Sequence, residues 1–348
     1  MQPVTTRRPA LPRRASGGRI RTATLRGLPA VLAAAGLDPA VVFAQAGVSL
    51  ALLDGPDRQI PLRRAGRLHA ACVAATGWSD VGLRGGQAAG VESLGDAGVF
   101  VRHSPTVGEA LRHLMQHLFR VNRGAIAYVA VDVGVARLGF AVVEPGVEAI
   151  DQISDGALAI GANLMRALCG PAWAPSLVRL ARRRPTRPGP YRRFYRASVV
   201  FDAPDNALLF PAEVLERPVP GADPQQYRAL RARIDALERA DRRSLPQRLP
   251  PIVRAALGAR DCSARWVAAL LSMHPRTLNR RLQAEGTTFR AIVEAVRRET
   301  AEQLLVYTAM PTTEIADALV YADPSVFTRA FRRWTGQPPS RWRAGRTG

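Results

Sequence analysis

The residues of this chain best suited to chemistry are arginines and an asparagine at helical spacing, and the chemistry they suit is the reading of DNA base edges. Two segments carry them. The first is His274-Pro275-Arg276-Thr277-Leu278-Asn279-Arg280-Arg281-Leu282-Gln283, and the second is Asp323-Pro324-Ser325-Val326-Phe327-Thr328-Arg329-Ala330-Phe331-Arg332-Arg333-Trp334. At about 100° per residue, Leu278 and Leu282 of the first point inward. Arg276, Arg280 and Gln283 fall roughly opposite, and Asn279 lies on the flank. In the second, Phe327, Phe331 and Trp334 share the inward face, while Ser325, Arg329 and Arg332 turn away. Arginine can donate two parallel hydrogen bonds to guanine in the major groove, and asparagine can pair in the same bidentate way with adenine.

Each segment has to be a helix for this to work, and each opens like one. A proline at the first helical position loses no hydrogen bond, and its fixed φ suits the helix. Asp323 is a strong N-cap that also favours the positive end of the helix dipole, whereas His274 is a poorer cap and predicts a weaker start. A short apolar helix and a tight turn precede each segment. These are Ser263 to Leu270 with Leu271-Ser272-Met273, and Thr313 to Leu319 with Val320-Tyr321-Ala322. Gly286 is a C′ residue in type. A single helix is expected after it over 288–307, with Phe289, Ile292, Val296 and Leu304 as its apolar stripe. One such unit could equally be a helical hairpin with solvated arginines, because the pattern is weak. Two units braced by one spacer favour DNA reading, with a useful separation of one DNA turn, roughly 34 Å.

The 348 residues predict two domains, and 47% apolar and 22% charged content is that of a soluble globular protein. The net charge of +21 points to a polyanionic partner. All 49 basic residues are arginine, which reflects genomic base composition rather than mechanism. Residues 1–26 hold seven arginines and no acid, and 247–348 hold sixteen arginines against eight acids. The first stretch has no apolar periodicity and is expected to be a disordered basic arm. Arg7-Arg8 and Arg13-Arg14 are followed by Arg19, Arg21 and Arg26 rather than by an apolar run, so no export signal is read and a cytoplasmic location is expected. Cys72, Cys169 and Cys262 are widely spaced and form no metal-type pair. No metal or other cofactor is implied, no catalytic residue is assigned, and the chain is not expected to be an enzyme.

Residues 28–118 are mostly helical in pattern. Pro61 opens a helix, and Thr106 caps another with Glu109 at the capping-box position. Two strands follow, Ala125 to Asp132 and Val135 to Val143, with Val133-Gly134 as their hairpin turn. A helix is expected over 150–168, strands over 177–180, 198–201 and 207–210, a short helix over 191–195 and a last helix over 224–240. Residues 241–246 are the expected linker. His113 and His117 lie one turn apart but opposite the leucine face, and are expected on solvated surface rather than on a metal. The eight arginines from Arg179 to Arg196, broken by three prolines, are expected in a solvated loop ahead of a site for an acidic effector or DNA. His103-Ser104 lacks an acidic third member, and no phosphate-binding or dinucleotide fingerprint occurs.

The C-terminal residues closely resemble the DNA-binding domain of the AraC/XylS transcription regulators. The resemblance runs from Val267-Ala268 through Arg276 to Leu282, Glu285 to Phe289, Glu314-Ile315-Ala316 and Phe327 to Gly336, then on to Pro338-Pro339 and Arg343. It implies base contacts from Arg276, Asn279, Arg280, Ser325 and Arg329, with backbone contacts from Thr277, Gln283, Thr328, Arg332 and Arg333. Two residues depart from the family pattern: Val320 stands at the turn position of a glycine, and His274 at that of a serine cap. Residues 28–222 resemble the arabinose-binding-type N-terminal domain of a subset of these regulators. That likeness rests on Leu37-Asp38-Pro39, Ala46-Gly47-Val48, Ile60-Pro61-Leu62, Ser104-Pro105-Thr106, Gly108 to Leu111, Val200 to Ala203 and Asn206 to Leu208.

The expected architecture is therefore an α+β effector-binding and dimerisation domain over 27–240, then an all-α domain over 247–348 with two helix-turn-helix units joined by a long helix. The expected function is sequence-specific transcription regulation under a small-molecule effector, with effector-binding residues unassigned. The resemblance adds a homodimer, operator DNA and RNA polymerase as partners. Two alternatives stay open: a DNA-repair-type regulator with a reactive cysteine, and an architectural protein that binds DNA without specificity.

Overall fold

A five-stranded sheet whose inner strands are covered on both faces organises the chain, and those strands are mostly apolar on both sides for that reason. The computed structural model describes residues 18–54, 58–121, 124–142, 144, 146–240, 244–258, 262–271 and 273–345. The first strand, β1 (Arg19–Arg21), pairs antiparallel with β2 (Gln59–Pro61). Around this pair pack α1 (Leu28–Ala34), α2 (Pro39–Gln45) and α3 (Leu62–Thr76), which bury Leu32, Phe43, Leu68 and Cys72. Asp38 caps α2 by accepting the Ala40 N–H at 2.8 Å, as the Asp-Pro pair demands. Then come α4 (Val81–Gln87), α5 (Asp96–Arg102) and α6 (Val107–Val121), with the Thr106 hydroxyl accepting the Glu109 N–H at 3.2 Å.

The sheet itself begins with β3 (Ala125–Asp132) and β4 (Val135–Val142). Between them Val133 and Gly134 have φ of 43° and 78°, the two left-handed residues of a type I′ hairpin turn. Next are α7 (Ile150–Cys169), β5 (Leu177–Arg179), α8 (Gly189–Tyr195), β6 (Ser198–Val200), β7 (Asn206–Pro211) and α9 (Pro224–Ala240). The strand order is β3-β4-β7-β5-β6, antiparallel throughout except for the parallel β5–β6 pair. One face presents Val129, Leu138, Val178 and Leu208 to α6 and α7. Gly82 and Gly86 let α4 lie directly on α7, because a Cβ at either would fall 2.0 and 2.4 Å from the carbonyl oxygens of Gln152 and Gly156.

The C-terminal part is all helix: α10 (Leu245–Gly258), α11 (Ala264–Leu270), α12 (Pro275–Ala284), α13 (Phe289–Tyr307), α14 (Thr312–Ala318), α15 (Pro324–Thr335) and α16 (Pro339–Ala344). Its core is continuous with Tyr128, Ala130 and Ala141 on the second face of the sheet. The helical domain is thus the cover of that face, and α10 also packs along α6.

Four expectations are corrected. Gly18 to Arg26, assigned to the disordered arm, are folded: β1 joins β2, and Arg21 is buried and donates to the Leu94 carbonyl at 2.8 Å. Residues 1–17 of that arm lie outside the described residues. Of the expected linker, 241–243 also lie outside them, while Leu245 and Pro246 already form the first turn of α10. The arginines from 179 to 196 are not simply a solvated loop. Arg179 meets Asp205 at 2.7 Å, Arg182 pairs with Asp155, and Arg196 donates to the carbonyls of Pro171 and Trp173 at 2.7 and 2.8 Å.

The fourth correction is His113, which is buried rather than solvated; the side chain of His117 lies outside the described residues. Its Nδ1 is 3.3 Å from the Ser104 hydroxyl, and its ring centroid is 4.5 Å from that of Phe100 and 5.8 Å from that of Tyr227. The helical wheel placed it opposite the leucines, but Phe100 and α9's Tyr227 cover that side. Burial first, and Arg231 and Arg112 second, hold its imidazole down to about 3. The folded ring stays neutral where the unfolded one charges, so its stability contribution is full above the ordinary value of 6.5 and is lost as pH falls toward about 3. Between pH 7.5 and 5 this single group should remove about 2 kcal/mol. Denaturant titrations across that range should show the loss in the wild type and a smaller one in His113→Phe.

Candidate nucleic-acid interface

The two helix-turn-helix units form as their residues dictate. In the first, Val267, Ala268 and Leu271 pack against Leu278 and Leu282 of α12, all buried. His274 holds an extended ψ of 144°, and its Nδ1 accepts the Arg276 N–H at 3.2 Å, so the imidazole does the work of a serine cap. In the second, Ile315, Ala316 and Leu319 pack against Phe327 and Phe331, both fully buried, with Trp334 partly so. Asp323 caps α15 by accepting the Ser325 N–H at 2.6 Å. Gly286 and Gly336 close α12 and α15 with φ of 74° and 80°. Between the units, α13 starts on the Thr288 hydroxyl, which accepts the Ala291 N–H at 3.1 Å. It buries Ile292, Val296 and Leu304, while Phe289 is half-buried.

Arg276, Asn279, Arg280 and Gln283 of α12, and Ser325, Arg329, Arg332 and Arg333 of α15, are all exposed; Thr277 and Thr328 are half-buried. Some already have partners. Arg329 Nη1 reaches the Ser325 hydroxyl at 3.4 Å, one turn back, which holds both on the same outer stripe. The Thr328 hydroxyl donates to the Pro324 carbonyl at 2.9 Å, and Arg333 donates to Glu294 of α13 at 2.9 Å. Arg290, Glu294, Arg297, Arg329 and Arg333 line a cleft of about 430 Å³ between α13 and α15.

Val320 stands at φ 58°, in the left-handed region where a β-branched residue is strained. The turn keeps its shape despite the missing glycine. The Val320 carbonyl accepts from Arg297 Nη2 at 2.9 Å, and that guanidinium lies 4.5 Å over the Tyr321 ring.

One feature escaped the sequence reading. Glu314 and Asp317 of α14 face the sheet. Glu314 Oε2 lies 3.0 Å from Arg137 Nη1 and 3.1 Å from Arg179 Nη2, and Asp317 Oδ2 lies 3.4 Å from Arg137 Nη2. Asp205 completes the cluster, accepting from Arg179 at 2.7 Å and from the Tyr128 hydroxyl at 2.8 Å. The signal was Arg137, a charge on an otherwise apolar strand.

Comparison with known proteins places this geometry. Residues 36–219 match the family model of the arabinose-binding domain of AraC transcription regulators, and residues 267–345 match a helix-turn-helix domain model. The chain belongs to the AraC family of transcription regulators. It is 27% identical to the HTH-type transcriptional regulator VirS of Mycobacterium tuberculosis over 331 residues, covering 94% of this chain and 97% of VirS. It is 29% identical to the ornithine utilization regulator of Pseudomonas aeruginosa over 315 residues, covering 88% of this chain and 91% of that one. Among solved structures, the transcriptional regulator CdpR from Pseudomonas aeruginosa matches 92% of this chain and 97% of its own, at 25% identity and a TM-score of 0.45.

This AraC-family regulator therefore joins an effector-binding domain to a DNA-binding one. The reactive-cysteine alternative gains nothing from the structure. Burial pushes the Cys72 thiol up to about 12 and the Cys169 thiol up to about 11, which leaves both as poor nucleophiles. Among the described residues no group of His, Cys, Asp or Glu could hold a metal ion, and no helix is long and apolar enough to cross a membrane.

The strain at Val320 is open to measurement. Val320→Gly should raise the melting temperature, since relief of the left-handed strain, about 1–2 kcal/mol, exceeds the extra chain entropy of glycine, about 0.4–1 kcal/mol. Differential scanning calorimetry of the two proteins checks it, and a lower melting temperature would contradict it.

Proposed function

We propose that α12 and α15 enter successive major-groove segments of operator DNA and read them through Arg276, Asn279 and Arg280 on one side and Ser325 and Arg329 on the other. Thr277, Gln283, Thr328, Arg332 and Arg333 contact the phosphate backbone. One observation carries this reading: both helices bury an apolar face in the domain core and turn the predicted reading residues outward. Arg329 is already steered by Ser325, so less side-chain freedom is lost when it meets a base. The arginine excess supplies non-specific attraction and steers encounter.

The chain acts as a homodimer in the cytoplasm, without catalysis, and responds to a small molecule held by residues 27–240, with 241–246 as the connection. The effector changes how the subunits are arranged, and so changes operator affinity or contact with RNA polymerase. It can do so only by binding one arrangement better than the other.

Footprinting and competition binding on the DNA upstream of the gene should show protection over two adjacent turns and preference over random duplex. Arg276→Ala or Arg329→Ala should each cost about 1–3 kcal/mol of specific binding and relax preference at one position. Arg332→Ala should weaken binding to all sequences and lower the salt dependence by about one counterion. Specificity that survives both of the first two changes would refute the assigned reading residues, and equal affinity for random duplex would favour the architectural alternative.

A further inference from the structure

The sheet face turned away from the DNA-binding domain bounds an apolar chamber of about 100 Å³. Leu138 and Phe140 of β4 form one wall, and Ala157 and Gly161 of α7 face them. Gly161 carries the meaning of this space. A glycine inside a helix is destabilising, and it is kept where backbone or close packing requires it. Neither requirement applies here. Gly161 has no positive φ, and a Cβ on it would sit at an ordinary 3.5 Å from Leu138 Cδ2. Its effect, with that of Ala157, is to leave room, and Phe140, Ala157 and Gly161 stay half-buried although they lie on the inner face.

The lining limits what fits. Among the described residues His69 is its single titratable side chain, and Thr24 its only hydroxyl, already donated to the Arg21 carbonyl at 2.7 Å. A charge there would have no counter-charge, and a sugar's hydroxyls would go unpaired. His69 Nδ1 lies 2.9 Å from the Ala65 carbonyl, which can only accept, so this nitrogen carries the hydrogen. Burial favours the neutral ring, against the backbone bond and the more distant Asp151, so Nε2 is an acceptor. For size, a dry apolar cavity of about 150 Å³ takes benzene, so a six-carbon ring enters this chamber of about 100 Å³ only by pushing the β4 wall outward.

The chamber and the domain interface share one strand. Leu138 and Phe140 point into the chamber, and Arg137, between Ala136 and Leu138 in the chain, points the other way onto Glu314 and Asp317. A molecule that displaced β4 would move the partners of α14, the helix that supports the second reading helix.

We propose that this chamber is the effector site, that it takes a compact uncharged molecule with an apolar body and one hydrogen-bond donor for His69, and that β4 reports its occupancy to α14. The proposal rests on the reading above that residues 27–240 hold the effector. The test uses the full chain and three probes: cyclohexanol, cyclohexanecarboxylate and L-arabinose. Cyclohexanol should raise the melting temperature saturably, and the other two should not. It should also change affinity for the upstream duplex by about fivefold or more, the lower range of allosteric coupling. Gly161→Leu, which fills the chamber, should abolish both effects, and Leu138→Ala, which enlarges it, should shift preference to 4-isopropylcyclohexanol. Arg137→Gln should keep the thermal shift and lose the change in affinity.

A thermal shift from carboxylate or arabinose in place of cyclohexanol, or equal cyclohexanol stabilisation of folded Gly161→Leu, overturns the site. A cyclohexanol shift with unchanged DNA affinity overturns the coupling through β4. Loss of DNA preference in Arg276→Ala with the thermal shift intact bears on the reading residues, so failure of the reading helices and failure of the chamber give different results.

Discussion

Two guanidinium groups, those of Arg137 and Arg179, stand on the sheet face that the helical domain covers, and the arrangement of the two domains depends on how they are neutralised. Moving such a charge out of water costs several kcal/mol unless partners are supplied. Asp205 supplies one from within the sheet domain, and Glu314 and Asp317 supply the rest from α14. The apolar contacts of Tyr128, Ala130 and Ala141 with the helical core provide area, while the ion pairs fix which helix lies over which strand. Apolar area alone would accept several registers, whereas charges at 3 Å accept few.

The same constraint makes the two DNA-reading units unequal. The second is seated on the sheet through its first helix, and the first touches the sheet domain mainly through its neighbour α10. Both present arginine stripes, and among the described residues it is the second whose supporting helix is clamped to the sheet by charge. A signal arriving in the sheet domain thus has a short physical route to α15 and a longer one to α12.

Much of this was legible in the residues, for identifiable reasons. Alternation of buried positions gave β3 and β4 to within a residue, and Val133-Gly134 could only be a tight turn. Proline and aspartate marked the start of α15, and Phe327 and Phe331 fixed its inner face. What stayed hidden depended on contacts between distant segments. The wheel showed His113 on the side away from the leucines but could not show that Tyr227, more than a hundred residues later, would cover it. Charge and absence of periodicity put residues 18–26 in a free arm, yet three residues suffice for β1 once β2 offers an edge. Glu314 lay within the quoted helix-turn-helix motif and was read as family pattern, when its carboxylate serves a strand of the other domain. The reading residues were the easiest to find, because a helix face is a local property.

The shared sheet face bears on how such a regulator can be taken apart or recombined. Tyr128, Ala130 and Ala141 belong by chain order to one domain and by packing to the core of the other. Cutting between α9 and α10 would bare that surface on one fragment and its complement on the other, together with unmatched arginines and carboxylates. A hybrid that grafts this DNA-binding half onto a foreign sensor would inherit the acids of α14 without their arginines, which favours sensors that bring their own basic pair to the same strands.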